Sequence, residues 1–466
     1  RCRVLYVSPL KALAVDVERN LRAPLAGIGH TAARLGETVR EVSVGLRSGD
    51  TSAADRRSMA SRPPDVLITT PESLFLMLTS QARESLRGVE TVVVDEVHAV
   101  AGTKRGAHLA LTLERLDALL ETPAQRIGLS ATVRPTEEVA RFLGGTAPVD
   151  VVAPPSEKEW DLTVVVPVED MAQPAPYDDS RLAAPPSPPP PTPPTPPVPP
   201  PPGEPTPPDP DDTLDTDPFA DLFGGSGPGP GTSPPGAPAD PERSGSLWPH
   251  VERSVHDLVV KHSSTIVFAN SRRLAERLTA KLNEIAATDA GLAADDAADP
   301  DLPAAQNPGQ SGTSPGAAPL VAKAHHGSVS KEQRAVIEDE LKRGVLPCVV
   351  ATSSLELGID MGAVDLVVQV ESPPSVASAL QRVGRAGHQV GEVSRGVLYP
   401  KHRGDLAQTS VAVQRMRTGA IESLRVPANP LDVLAQQVVA MTALDAWDVE
   451  ELYALVRRSA PFSQLP

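Results

Sequence analysis

Aromatic residues make up only 3% of this 466-residue chain, so its core has to be built from Val, Leu, Ile and Ala. Cysteine is almost absent. Cys2 and Cys348 fit no metal-ligand spacing and no disulfide framework, which excludes a disulfide-stapled secreted scaffold and points to a reducing cytoplasm. No apolar run approaches the ~18 residues that span a bilayer, and no signal peptide opens the chain. An excess of basic charge is also missing, since the net charge is −16. That acidity is localised, however. Residues 170–245 hold 12 acids and 2 bases, and residues 286–320 hold 5 acids and no base. The rest of the chain is close to neutral, so the net charge says little about any binding groove there.

Those two acidic segments are also the low-complexity ones. Residues 174–241 contain 27 of the 52 prolines. Proline cannot donate to a ladder or a helix interior, and little there is apolar, so residues 171–245 are expected to be a disordered insertion of polyproline II character. A tolerated insertion is the plain reading; a docking site for a proline-binding module over 185–210 is the sharper one. Residues from about 286 to 319 read as a second, flexible loop. Elsewhere short apolar runs alternate with amphipathic stretches. Strands are expected at 3–8, 42–46, 65–70, 91–96, 126–132 and 149–153, then at 264–270, 320–326, 347–353, 364–370 and 394–400. A helix between them carries Leu109, Leu113, Leu116 and Leu120 on one face. Alternating strands and helices without polar alternation imply an α/β fold with parallel sheets. The expected divisions are a first α/β domain over 1–153, a connecting segment over 154–170, a second α/β domain over 246–415, and the start of a helical domain over 416–466. The opening "RCRVLYVSPL" lacks Met and enters a strand at once, so upstream sequence is expected.

The chemistry gathers at strand ends. "TVVVDEVH" places Asp95 and Glu96 just beyond a buried strand, where parallel sheets hold ligands. A nucleoside triphosphatase needs one carboxylate for Mg²⁺ held through water and a second to activate the attacking water. His98 is close enough to pass the state of such a site to its neighbours. "LSAT" sets the short hydroxyls of Ser130 and Thr132 at the next strand end. In "ITTPESL", Thr70 is an N-cap and Pro71 a first helical residue, and the helix start they open suits a phosphate. "VSPLK" puts Lys11 ahead of another helix. In "QRVGRAGHQVG", Gln381, Arg382 and Arg385 line up as donors beside glycines. An arginine brought across a cleft would stabilise charge on a transferring phosphoryl group. "ATSSLELGIDMG" couples a strand to a Ser/Gly-rich turn and Asp360.

"PLKAL", "TTPES", "DEVH", "SAT", "VFANSRR", "HHGS", "ATSSLELGIDMG" and "QRVGRAGH" occur in the order of the superfamily-two DExH helicases. The chain resembles most closely the bacterial large helicase-related (Lhr) family, on "KRGAHLALTLERL", "EWDLTVVVP", "PPSVASALQRVGRAGHQVG" and "NPLDVLAQQ". That resemblance implies two RecA-like domains with mainly parallel sheets followed by a winged-helix-like domain. It implies ATP and Mg²⁺ as cofactors, and 3′-to-5′ translocation on single-stranded DNA. It further implies unwinding of DNA or RNA–DNA duplexes, as in DNA repair. Carried over by position, Asp95 would hold Mg²⁺ and Glu96 would activate water, while His98, Ser130 and Thr132 would couple nucleotide state to the strand. Gln381, Arg382 and Arg385 would meet ATP across the cleft, with Gly358 and Asp360 nearby. Pro9, Lys11, Thr70, Arg272 and Ser328 would line the nucleic-acid track. Two departures stand out. His388 occupies a position where many relatives carry a second arginine. No G-x-x-x-x-G-K-[ST] phosphate loop occurs in these residues, so they are expected to lack ATPase activity by themselves. An RNA-directed helicase and a non-catalytic strand-binding protein are the alternatives.

Overall fold

The short apolar runs form strands and the amphipathic stretches form helices. The computed structural model describes residues 1–154, 158–175, 246–291, 320–356, 362, 364–387 and 392–466. The first lobe runs β1 (Val4–Val7), α1 (Lys11–Leu35), β2 (Val44–Arg47), α2 (Ala53–Ser61), β3 (Val66–Thr69), α3 (Pro71–Leu78), β4 (Thr91–Val94), α4 (Val97–Ala101), α5 (Lys104–Leu119), β5 (Gln125–Gly128) and α6 (Thr136–Gly144). Its five strands lie in the order β2-β3-β1-β4-β5, all parallel. The second lobe runs β6 (Trp160–Val164), α7 (Leu247–Lys261), β7 (Thr265–Phe268), α8 (Arg272–Asp289), β8 (Ala322–His325), α9 (Lys331–Lys342), β9 (Cys348–Ala351), β10 (Leu366–Val370), α10 (Val376–Val383), β11 (Ser394–Tyr399) and α11 (Arg403–Thr418). Its six strands are ordered β6-β11-β10-β7-β9-β8, again all parallel.

Strand composition follows position in the sheet. β7, β9 and β10 are buried at every residue and read TIVF, CVVA and LVVQV. The edge strands β5 and β6 carry Gln125, Arg126, Asp161 and Thr163. This is the pattern of sheets covered on both faces and open only at their edges. One apolar cluster fills the first lobe around Leu5, Leu74, Val92 and Leu113; two others lie around Ile266 and Val367, and around Val267 and Tyr399, in the second lobe.

Three expectations are corrected. Residues 149–153 form no strand, and Val152 is 89% exposed. The segment expected as a connector instead supplies β6, the edge strand that pairs with β11. Finally, α8 runs to Asp289 because Ala286 and Ala287 are buried, so the loop expected from 286 begins later. Residues 176–245 and 292–319, which hold most of the proline-rich insertion and of that loop, lie outside the described residues.

Helices α12 (Leu431–Thr442) and α13 (Val449–Arg458) dock on the outer face of α5. Asp448 caps α13 by accepting from the N–H groups of Glu450 and Glu451. The docking face is both apolar and polar. Leu111 packs with Val433, Met441 and Phe462. Gln437 is fully buried; its amide donates to His108 O and Thr112 Oγ1 and accepts from Arg115. Beside it, Arg126 pairs with Glu114 and Asp117 at 2.8 and 2.7 Å, and Arg458 pairs with Glu114 at 2.8 Å. Gly145 closes this contact. Its φ is +61°, and a Cβ there would stand 2.3 Å from Arg458 O.

Candidate active site

Register brings the first group together. Val7 of β1 lies beside Val94 of β4, so Ser8 and Asp95 leave neighbouring strands at the same end of the sheet. The Asp95 N–H donates to Val7 O at 2.9 Å. One Asp95 carboxylate oxygen accepts from Tyr6 Oη at 2.7 Å, and the other accepts from the Glu96 N–H at 2.9 Å. Tyr6 is the phenol of an otherwise apolar strand, and burial, then its bond to Asp95, pushes its pKa up. Glu96 sits at φ 46° and ψ 46°. A side-chain-bearing residue held in that left-handed region costs about 1–3 kcal/mol and is typical of functional turns. The Val97 N–H donates to Leu129 O, which fixes the turn against the end of β5. Burial raises the Glu96 pKa, the charge of Asp95 raises it further, and the charge of Arg385 opposes both.

His98 is the hub of the arrangement. Its Nδ1 accepts from the Ala131 N–H at 3.1 Å and stands 3.3 Å from Ser130 Oγ. Its Nε2 lies 3.3 Å from Glu96 Oε2 and 2.7 Å from the side-chain amide of Gln381, which comes from the second lobe. A neutral imidazole has one acceptor nitrogen. With Nδ1 accepting from Ala131, the ring proton sits on Nε2, where Glu96 Oε2 can accept it. Burial holds the His98 pKa below its ordinary value, with Asp95 pulling the other way, so the neutral ring is favoured.

Gln381 and Arg385 are delivered by α10 and the turn after it. Ser375 caps α10 by accepting from the Ser378 N–H, and the Glu422 carboxylate accepts from the Val376 and Ala377 N–H groups. Beyond Gly384, Gly387 has φ +60°, and a Cβ there would stand 2.6 Å from Val393 O. Arg382 faces into its own lobe. It is 3% exposed, donates to Gln369, Asn270 and Glu356, and lies over the Phe268 ring.

Asp95, Glu96, His98 and Ser130 are therefore gathered with Gln381, within reach of the Arg385 charge. Thr132 is exposed two residues beyond Ser130. The positions expected on a strand track are more dispersed. Arg272 donates to Ser328 at 2.7 Å in the second lobe. In the first lobe Lys11 is paired with Asp50 at 2.6 Å, Pro9 is buried, and the buried Thr70 hydroxyl caps α3. Gly358, Asp360 and His388 lie outside the described residues. Sequence reasoning passed over Tyr6 and Glu422. A lone phenol one residue before the end of an apolar strand was a usable signal for Tyr6; nothing local marked Glu422.

Residues 1–141 match the family described as DEAD/DEAH box helicase, residues 317–389 the helicase conserved C-terminal domain, and residues 414–466 the winged helix domain of large helicase-related protein. The chain is 57% identical to the Lhr helicase/probable uracil glycosylase of Mycolicibacterium smegmatis, over 100% of the chain and 26% of that protein. It is 51% identical to the Lhr helicase/uracil glycosylase of Escherichia coli, over 100% of the chain and 27% of that protein. It thus spans about a quarter of the length of these curated relatives. Among solved structures, that of Mycobacterium smegmatis helicase Lhr bound to ssDNA and AMP-PNP aligns over 100% of the chain and 48% of its own length, with a TM-score of 0.75 and 56% identity.

Proposed function

This chain belongs to the Lhr family of DEAD/DEAH-box helicases, and from that premise we propose that its two lobes hydrolyse ATP to drive 3′-to-5′ movement along single-stranded DNA. We further propose that the chain separates DNA and RNA–DNA duplexes during repair, in the cytoplasm. The observation that carries the reading is the contact of His98 with Gln381 across the cleft, beside Asp95 and Glu96. It links the acidic pair of one lobe to the donor-rich turn of the other, which is the geometry a nucleotide-driven closure requires.

Asp95 is a hard oxygen donor whose two oxygens each accept one hydrogen bond and keep a lone pair, which suits a hydrated Mg²⁺. That ion, when bound, neutralises charge on the phosphates. Glu96, held basic by burial, takes a proton from the attacking water. His98 joins Glu96 to Ser130, so displacement of Glu96 reaches the strand end that carries Thr132. Arg385 offers its charge to the transferring phosphoryl group. Arg382 keeps the second lobe's side of the cleft in shape. Lys11 on one lobe and Arg272 and Ser328 on the other grip the phosphate backbone, and the buried Pro9 and Thr70 shape the turns behind them. Sequence-independent, salt-sensitive binding is the consequence. A partner that reads proline-rich peptides is proposed for residues 185–210.

The test is strand-stimulated ATP hydrolysis by the full-length protein, with unwinding of duplexes bearing 3′ or 5′ single-stranded tails. Unwinding from 3′ tails alone upholds the reading, and absence of stimulated hydrolysis overturns it. Competition between DNA and RNA strands decides the track. Residues 1–466 alone, with no glycine-rich lysine loop, should hydrolyse ATP at under about 1% of the full-length rate, because one phosphate cradle is missing.

A further inference from the structure

The segment after α11 crosses from one lobe to the other and touches both halves of the candidate site. Helix α11 ends at Gly419 in the left-handed conformation, which turns the chain back toward α10. Ile421 packs on the second lobe's core. Glu422 then accepts from the first two N–H groups of α10, at 2.7 Å from Val376 and 3.2 Å from Ala377. The next residues belong to the first lobe. Ser423 forms a parallel bridge with Arg134, the Leu424 N–H donates to Arg134 O at 2.7 Å, and the Val426 N–H donates to Glu138 at 3.2 Å. Leu424 and Val426 pack against the first lobe's core. Arg134 is four residues beyond Ser130, and Gln381 is five residues beyond Val376.

This arrangement is a short tie between the two lobes. On one side it holds the chain that continues from the Ser130–Thr132 turn. On the other it holds the start of the helix whose far end carries Gln381 and leads to Arg385. A helix rises 1.5 Å per residue, so Gln381 stands only about 8 Å along a rigid element from the point of attachment. The carboxylate is suited to that task, because two N–H groups at a helix start are otherwise unsatisfied and favour a negative charge. Burial by itself would raise the Glu422 pKa; the bonds from Val376, from its own N–H and from Ala377, with the charge of Arg415, together outweigh it and hold the group ionised.

We propose that residues 421–426 tie the two halves of the site together and that Glu422 is a positioning residue for ATP hydrolysis, setting the placement of α10 so that Gln381 and Arg385 meet His98 and Glu96. The inference rests on the ATPase reading above, and its test separates the two. In the full-length protein, Glu422→Ala should lower the strand-stimulated kcat about tenfold, as sub-ångström misplacement of a catalytic group does. The KM for ATP and the affinity for single-stranded DNA should stay within about twofold, because Glu422 touches neither. Glu422→Gln keeps one carbonyl acceptor and should fall in between. The decisive comparison is a double-mutant cycle with Gln381→Ala. If Glu422 acts through α10, the double variant is no slower than the slower single variant.

A Glu422→Ala protein with kcat within about twofold of wild type, or losses that multiply in the double variant, overturns the inference. Should Glu422→Ala fail to fold, the nearly isosteric Glu422→Gln carries the test: about a threefold lower kcat upholds the inference and an unchanged kcat overturns it. Glu96→Gln serves as the control. If wild type is no faster than Glu96→Gln, the ATPase reading itself falls and takes the inference with it. If wild type is active and Glu422→Ala equally so, only the inference falls.

Discussion

The Tyr6 hydroxyl donates to Asp95 at 2.7 Å, across the pairing of β1 with β4. The bond holds one carboxylate oxygen while the Glu96 N–H holds the other. Asp95 is thereby aimed before any ligand arrives, and that aim is the part of cation binding a protein supplies most directly. Tyr6→Phe removes the oxygen and leaves the ring in place. The half-saturating Mg²⁺ concentration for hydrolysis should rise about tenfold, at the low end of the range that such outer partners command. The variant should melt within a few degrees of wild type, because a net hydrogen bond contributes about 1 kcal/mol. Titration of ATPase rate against Mg²⁺ checks it, and an unchanged midpoint would count against the aiming role.

Glu114 is the junction of the ion-pair network under α13. It accepts from Arg126 of β5 and Arg458 of α13, and its side chain is 3% exposed. Removing one member of a buried charged network leaves its partners uncompensated, which costs about 3–5 kcal/mol. Arg126 keeps Asp117, so the lower end of that range applies to Glu114→Ala. Denaturant unfolding should show a lower midpoint. Limited proteolysis should cut between α12 and α13 before it cuts the sheets. A midpoint at the wild-type value would mean that the network is no more than a surface pairing.

Two buried imidazoles, His256 and His326, and two half-buried ones, His98 and His108, make acid pH destabilising. Burial holds His98, His108, His256 and His326 below their ordinary 6.5. A lowered value in the folded state means that the unfolded chain binds the proton more readily. Stability from these groups is therefore complete above pH 6.5 and is lost as pH falls from 6.5 towards the folded values. His256 is the clearest case: it is 3% exposed, faces Asp257, Asp289 and Arg253, and the two aspartates offset its burial only in part. Thermal midpoints should drop between about pH 7 and pH 5. His256→Phe, if it folds, should flatten that slope, and an unaltered slope would assign the acid sensitivity elsewhere.

Much of this site could be read from residue order, for a physical reason. Asp95, Glu96 and His98 follow four strand residues, and a parallel sheet gathers such strand ends on one edge whatever the rest of the chain does. Gln381 and Arg385 were legible as donors beside flexible glycines. What stayed hidden was non-local. β6 carries Asp161 and Thr163, the composition of a connector, and becomes a strand only because the distant β11 offers it an edge. Residues 149–153 are apolar enough for a strand but pair with none. Arg382 looks as exposed as Arg385 in sequence, yet Glu356, Asn270 and Gln369 converge on it from three other segments. The short polar turn around Glu422 gives no hint of the helix it caps.

The pH dependence of hydrolysis should report Glu96 and, through it, Arg385. Burial and the neighbouring Asp95 raise the Glu96 pKa above its ordinary 4.5, and the Arg385 charge lowers it. A base must be ionised to take a proton, so kcat should fall on the acid side with a midpoint above that of an ordinary glutamate. Arg385→Ala removes the one contribution that favours the carboxylate, so its residual activity should show an acid limb at still higher pH. The rate itself should fall by about 10³ or more if Arg385 stabilises transition-state charge, the loss expected of a removed arginine finger. Substitution of Lys104, paired with Asp432 away from the cleft, should move neither quantity. A loss of rate in Arg385→Ala with the acid limb left in place would separate the arginine from Glu96. It would then have to act on the nucleotide from a position that the acidic pair does not feel.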